Sequence, residues 1–207
     1  MAQHLEVERK YAVPPEVELP ELGPGVAGVR EHELEAVYLD TADHALLQRG
    51  ITLRRRTGGP DAGWHLKTPA GADSRSETQH PAGPGEDPPC ELPAALRDAV
   101  RAFVGSRPLR PVALVRNRRR ELLLVDDAGR DLATVCDDRV TATAQPGAQD
   151  AVWERWREWE VELADGRPAE VLEPIEARLL AAGAERAGTT SKLARVLGWP
   201  GPLTPAP

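Results

Sequence analysis

Glu6, Glu8 and Lys10 alternate along the first charged stretch of the chain, Arg54 and Arg56 share the same spacing, Arg116, Arg118 and Arg120 repeat it, and Glu158, Glu160 and Glu162 complete the series. In an extended strand, with a rise of roughly 3.3 Å per residue, side chains at i and i+2 leave the same face about 7 Å apart. Arginines at that spacing present planar forks that match phosphate oxygens, and a lysine adds a compact, mobile point charge. The glutamates would repel a phosphate chain unless divalent cations stood between them. Mg²⁺ and Mn²⁺ take such positions, using one or two carboxylates together with phosphate oxygens and water. Acidic and basic sets facing one lumen therefore point to metal-assisted chemistry on a phosphate chain. Taken singly, each set also fits an exposed strand face that carries charge for solubility or to protect an edge.

Composition narrows the field. The chain has 207 residues, with 26 Lys plus Arg against 33 Asp plus Glu and a formal charge of −7, which argues against a broad basic surface for nucleic acid. Only Lys10, Lys67 and Lys192 are lysine, so every other basic residue is an arginine. Twenty prolines and 18 glycines predict many turns and few long helices. No apolar run reaches the roughly 20 residues of a membrane span, and the first ten residues carry charge where a signal peptide is apolar, so a cytoplasmic protein is expected. Cys90 and Cys136 lack metal-ligand spacing and read as two reduced thiols.

The elements that must hold these residues have a period of two. Strands are predicted at Leu5 to Tyr11, Leu34 to Leu39, Ile51 to Thr57, Trp64 to Thr68, Arg75 to Gln79, Val112 to Val125 (a bent strand, part of it lead-in), Leu132 to Thr143 and Trp153 to Leu163. Helical stripes cover Leu92 to Gly105 and Pro168 to Ala182, with Pro174 as a kink or the true start, and a shorter one covers Thr190 to Leu197 with Thr189 or Thr190 as N-cap. Asp43 to Gln48 suits a single turn. Pro14 to Gly28 reads as a loop, Pro81 to Pro93 as a linker, and Trp199 to Pro207 as a frayed tail following one domain over residues 1–198. Leu5, Val7, Leu53, Leu66, Val161 and Leu163 lie opposite the charged faces. The fold class expected is thus α+β, mainly β: an eight-stranded antiparallel closed barrel with a charged interior and helices packed outside.

In that order along the chain, Glu6-Val-Glu8-Arg-Lys10, Tyr38-Leu-Asp40-Thr41, Leu53-Arg54-Arg-Arg56, Trp64-His-Leu66-Lys67, Arg75-Ser-Glu77, Arg116-Asn-Arg118, Asp137-Asp138-Arg139, Trp159-Glu160-Val-Glu162 and Ser191-Lys192-Leu193 resemble the motifs of the CYTH, or triphosphate tunnel metalloenzyme, superfamily. The resemblance spans about residues 4–198 and implies the same eight-stranded tunnel. It implies that Lys10, Arg54, Arg56, Lys67, Arg75, Arg118 and Lys192 grip a triphosphate, with Arg116 an addition and Arg119 or Arg120 as alternatives to Arg118. It further implies that Glu6, Glu8, Asp138, Glu160 and Glu162 hold one or two Mg²⁺ or Mn²⁺ ions and that Glu77 braces the bases or joins the metal set; Glu158, by its parity with Glu160 and Glu162, is a supporting residue in the lumen or at its mouth. Glu6, Glu8 and Lys10 are the expected catalytic residues. The activity implied is hydrolysis of inorganic, nucleoside or thiamine triphosphate. The rival readings are an adenylate cyclase on the same tunnel and a non-catalytic polyphosphate-binding module. The expected partner is a small polyanion, not nucleic acid or membrane.

Overall fold

The computed structural model describes residues 2–23, 25–71, 74–83, 87, 90–188 and 191–199. Among these residues nine strands follow in chain order: β1 (Ala2–Ala12), β2 (Gly25–Asp40), β3 (Thr52–Thr57), β4 (Gly63–Pro69), β5 (Ser74–Pro81), β6 (Arg110–Val125), β7 (Asp131–Thr143), β8 (Glu154–Leu163) and the short β9 (Glu185–Arg186). Among the described residues three helices join them, α1 (Ala94–Val104), α2 (Leu172–Ala181) and α3 (Lys192–Val196). β1 to β8 form one antiparallel sheet in the order β5-β4-β3-β2-β6-β7-β8-β1, and pairing of β1 back onto β5 closes it into the predicted barrel. β1 achieves closure by splitting its ladder. Its first half, Ala2 to Val7, pairs with β5, and its second half, Glu8 to Ala12, pairs with β8. Closure removes both sheet edges that an open sheet of this width would expose.

Three apolar clusters fix the barrel's surroundings. The outward residues Leu53, Trp64 and Leu66 bury against Leu96, Val100 and Val104 of α1. Tyr11, Val135, Trp159 and Val161 bury against Leu172, Ile175 and Leu179 of α2, with Val7 and Leu163 partly buried beside them. Leu5 departs from the expectation that it packs under a helix, since 57% of it is exposed. The third cluster lies inside the barrel, where Leu193, Ala194 and Val196 of α3 pack on Ala36, Tyr38, Ala113, Val115, Val140 and Ala142. α3 thus fills one end of the lumen with an apolar layer.

Several boundaries differ from the sequence reading for identifiable reasons. β2 starts inside the stretch predicted as a loop, because β6 is equally long and gives it ladder partners from Gly25↔Val125 to Asp40↔Arg110. β6 is one continuous strand, without a lead-in. Pro174 falls in the first turn of α2, where its missing N–H is no loss, and a 3₁₀ turn over Ala169–Val171 precedes it. The expected turn near Asp43 is a 3₁₀ turn at Leu47–Arg49, held by the buried Asp40 carboxylate, which accepts from the Leu46 and Leu47 N–H groups at 3.0 and 2.9 Å. Ser191 caps α3 by accepting from the Ala194 N–H at 3.1 Å. Thr189 and Thr190 lie outside the described residues, as do five residues of the Pro81–Pro93 linker and positions 200–207 of the tail. Trp199, predicted to fray, packs against the α3 cluster with its ring edge to His44. Among the described residues no helix is long and apolar enough to cross a membrane.

Candidate active site in the barrel lumen

The lumen holds a cavity of about 250 Å³ whose wall is built from alternate residues of the strands. β1 contributes His4, Glu6, Glu8 and Lys10; β3 contributes Arg54 and Arg56; β4 and β5 contribute Lys67, Arg75 and Glu77; β6 contributes Asn117 and Arg119; β8 contributes Glu160 and Glu162; and Lys192 reaches in from α3. Asp138 and Glu158 share this interior, behind Lys192, and both are buried. Of the residues named from the sequence, Arg116 and Arg118 are corrected. They leave the outer face of β6, 59% and 79% exposed at the side chain, and pair with Glu35 and Glu33 across the β2–β6 ladder. The inward position belongs to Arg119. Glu158, left between the lumen and its mouth, lies inside, at the end where Lys192 of α3 reaches it, and accepts from the Trp156 indole N–H at 2.6 Å. Asp138 faces in and Asp137 faces out, where Arg157 holds Asp137 at 2.7 and 2.8 Å.

Two groups of ligand-bearing side chains converge in the lumen: His4, Glu6 and Glu77 in one, and Asp138, Glu158 and Glu160 in the other, each with ligand atoms within 4.8 Å of one another. Glu8 stands directly opposite Glu162 in the β1–β8 register. Arg119 is the hub of the second group. It donates to both oxygens of Asp138 at 2.8 and 2.7 Å and to Glu160 at 2.6 Å. Lys10 donates to Glu160 at 2.7 Å. Burial works against the charge on Glu160, yet Lys10, Lys192 and Arg119 hold its carboxyl well below the usual range. The first group is looser. Lys67 donates to Glu6 at 2.5 Å, and His65 bridges Glu77 Oε1 at 3.0 Å and the Asp61 carbonyl at 2.9 Å. Burial lowers His65 to about 4. Glu162 differs from its neighbours, because burial and the charges of Glu6, Glu8 and Glu160 outweigh Lys67 and push its carboxyl up to about 7.

Arg54 and Arg56 form the cationic wall opposite. The Nε–H of each is buried without a hydrogen-bond acceptor. Burial, with Arg54 and Arg119 close by, pulls Arg56 down to about 9, although the half-exposed Asp61 of the β3–β4 turn pairs with it at the mouth. Tyr38 accepts from Arg54 at 3.3 Å. Seven bases, Lys10, Arg54, Arg56, Lys67, Arg75, Arg119 and Lys192, therefore share the interior with seven acids, Glu6, Glu8, Glu77, Asp138, Glu158, Glu160 and Glu162. Sequence reasoning offered Arg119 as an alternative to Arg118, and it missed His4 and Asp61. His4 carried a signal, its parity with Glu6, whereas Asp61 sits in a turn and carried none.

Because Arg116 and Arg118 face solvent, replacing either with Ala is expected to change stability by no more than about 0.5 kcal/mol. Urea denaturation of the two variants checks this.

The chain matches the CYTH domain model over residues 4–197. Over 212 aligned residues it is 45% identical to the uncharacterized proteins MT2285 and Rv2226 of Mycobacterium tuberculosis, covering 95% of this chain but 41% of each relative. It thus spans about two fifths of their length. Among solved structures it resembles a Bacillus halodurans protein provisionally described as an adenylate cyclase, with a TM-score of 0.61 and 20% identity over 94% of this chain and 98% of that one. It also resembles HpAC1 from Hippeastrum, with a TM-score of 0.59 and 18% identity over 94% of this chain and 95% of that one. Those likenesses are of fold. The family match over nearly the whole length, together with a closed barrel that carries the alternating charges inside, makes this chain a member of the CYTH domain family.

Proposed function

We propose that the barrel is a divalent-metal-dependent triphosphatase site. The observation that carries this reading is the pair of buried, acceptor-less N–H groups on Arg54 and Arg56. An orphaned buried donor costs about 1–3 kcal/mol, more when charged, and a phosphate oxygen is the acceptor that a guanidinium fork fits best. The carboxylates on the opposite wall are hard oxygen donors suited to Mg²⁺ or Mn²⁺, with Glu6, Glu8 and Glu162 as the proposed holders and His4 and Glu77 beside them. When bound there, such an ion neutralises phosphate oxygens and lowers the pKa of a coordinated water. Arg54, Arg56 and Arg75 would hold the chain, stabilise the charge that grows on the equatorial oxygens, and keep the terminal phosphorus in line. Lys10 and Lys67 would tie the acidic wall to the anion. The cavity volume of about 250 Å³ falls below the roughly 300–1,000 Å³ of pockets for drug-sized ligands, which favours a bare triphosphate over a nucleotide and so ranks hydrolysis above cyclase activity. HpAC1, similar in fold, is described as having a dominant triphosphatase activity.

Phosphate release from inorganic triphosphate with Mg²⁺ or Mn²⁺ is the test, with ATP and cyclic AMP detection as the cyclase arm. Arg56→Ala and Glu8→Gln are each expected to lower turnover about 100-fold, the loss typical of removing one preorganised charge-stabilising group. Unchanged turnover in both variants rejects this site, and tight polyphosphate binding without turnover across several metals replaces it with a binding module.

A further inference from the structure

The Asp138, Glu158 and Glu160 group has the composition of a metal site but not the vacancy. Lys192 Nζ lies 2.9 Å from Asp138 Oδ2, 2.6 Å from Glu158 Oε1 and 2.8 Å from Glu160 Oε1. The ammonium faces one oxygen of each of the three carboxylates, donating a hydrogen bond to Glu160 Oε1 and pairing with Asp138 and Glu158 by charge. The other oxygens are taken as well: Asp138 Oδ1 and Glu160 Oε2 by Arg119, and Glu158 Oε2 by Trp156. Three acids thus face three bases, Lys192, Arg119 and Lys10, and a divalent ion added there would leave two buried positive charges without partners. The β1 wall is the opposite case. Glu6, Glu8, Glu77 and Glu162 meet two bases of their own, Lys67 and Arg75, while Lys10, shared with Glu160, lies 3.4 Å from Glu8 Oε1, so the wall keeps a net negative charge that one divalent ion balances.

We propose that Lys192 is the resident counter-cation of the Asp138, Glu158 and Glu160 group, so that the free barrel binds a single divalent ion, at the β1 wall, and has its second cation position filled from α3. This rests on the triphosphatase reading only for the β1-wall ion. The role of Lys192 stands on its own contacts. Since α3 is anchored by Leu193, Ala194 and Val196 within the apolar end of the lumen, the ammonium is delivered by the fold and is not exchanged with solvent ions.

The test counts Mn²⁺ bound to substrate-free protein by calorimetry and by loss of the free-ion paramagnetic resonance signal, for the wild type, Lys192→Met and Lys192→Arg. One ion in the wild type and in Lys192→Arg, with one more in Lys192→Met, is the expected result. Two ions in the wild type, or no gain in Lys192→Met, overturns it. No ion in the wild type but one in Lys192→Met upholds the role of Lys192 while removing the β1-wall site, so the two readings fail separately. If Lys192→Met does not fold even with Mn²⁺ present, the wild-type count and two further variants decide. Glu8→Gln is expected to weaken Mn²⁺ binding at least tenfold and Glu158→Gln less than twofold, and the reverse order overturns the assignment.

Discussion

Arg119→Met is expected to lower the stability of the folded protein by about 3 kcal/mol, the lower end of the cost of leaving a buried carboxylate without its partner, and to depress triphosphate turnover with it. The wild-type side chain is partly buried in the lumen and satisfies Asp138 through a bidentate fork while holding Glu160 with the same Nη2. Its removal leaves Asp138, Glu158 and Glu160 facing only Lys192 and Lys10. The pH dependence has a definite sign. With one base gone, the folded-state pKa of a carboxylate in the group rises, so the deficit relative to wild type is largest near neutral pH and shrinks as pH falls through the carboxylate range. Arg119→Lys restores charge but not the fork, and recovers part of the loss. Urea denaturation at pH 7 and pH 4.5, beside Arg118→Met as the solvent-facing control, measures all of this. A deficit in Arg119→Met no larger than that in Arg118→Met would falsify the placement of Arg119 in the lumen.

That contrast also marks where the sequence was legible and where it was not. Alternation in β1 and β8 could be read directly, because one face of Leu5-Glu-Val-Glu-Arg-Lys-Tyr11 and of Glu158-Trp-Glu160-Val-Glu162 is predominantly apolar, so only one parity can face a charged lumen. The run Arg116-Asn-Arg-Arg-Arg120 has no apolar face, and its parity cannot be chosen from within the strand. The choice is made by the neighbour. Glu31, Glu33 and Glu35 of β2 stand opposite Arg120, Arg118 and Arg116, three rungs of opposite charge on the outer face. A reader who paired β2 with β6 in antiparallel register would have found that ladder and, with it, Arg119 as the inward arginine. Asp138 could be separated from Asp137 only as adjacent residues on opposite faces; its partner Arg119 depended on the unresolved parity. Likewise, α3 could be predicted as a helix from Leu193, Ala194 and Val196, but not as a plug, since insertion into the barrel depends on the small, apolar inward residues Ala36, Ala113, Val115, Val140 and Ala142 coming from three separate strands.

Glu162→Gln is expected to stabilise the metal-free protein at pH 8, by up to about 3 kcal/mol. The wild-type carboxyl, half-buried among Glu6, Glu8 and Glu160, is pushed from 4.5 to about 7, and each pKa unit is worth about 1.4 kcal/mol; residual contact with solvent makes the product an upper figure. Because its folded-state pKa is raised, the folded protein binds more protons than the unfolded chain between about pH 4.5 and 7. Stability therefore falls as pH rises through that window and levels off above it. The glutamine variant lacks this slope, so the two denaturation curves coincide near pH 4.5 and separate towards pH 8, with the variant the more stable. Mg²⁺ or Mn²⁺ at pH 8 is expected to narrow that gap. The ionised Glu162 that destabilises the empty wall would be a ligand once a divalent ion is present, and binding to the native state alone raises stability by mass action. Chemical denaturation of both proteins with and without 5–10 mM Mn²⁺, a range on the order of 100 times a dissociation constant of roughly 0.1 mM, tests the sign twice. A variant that is less stable than wild type at pH 8 without metal, or that gains as much from Mn²⁺ as wild type does, would remove Glu162 from the proposed metal wall.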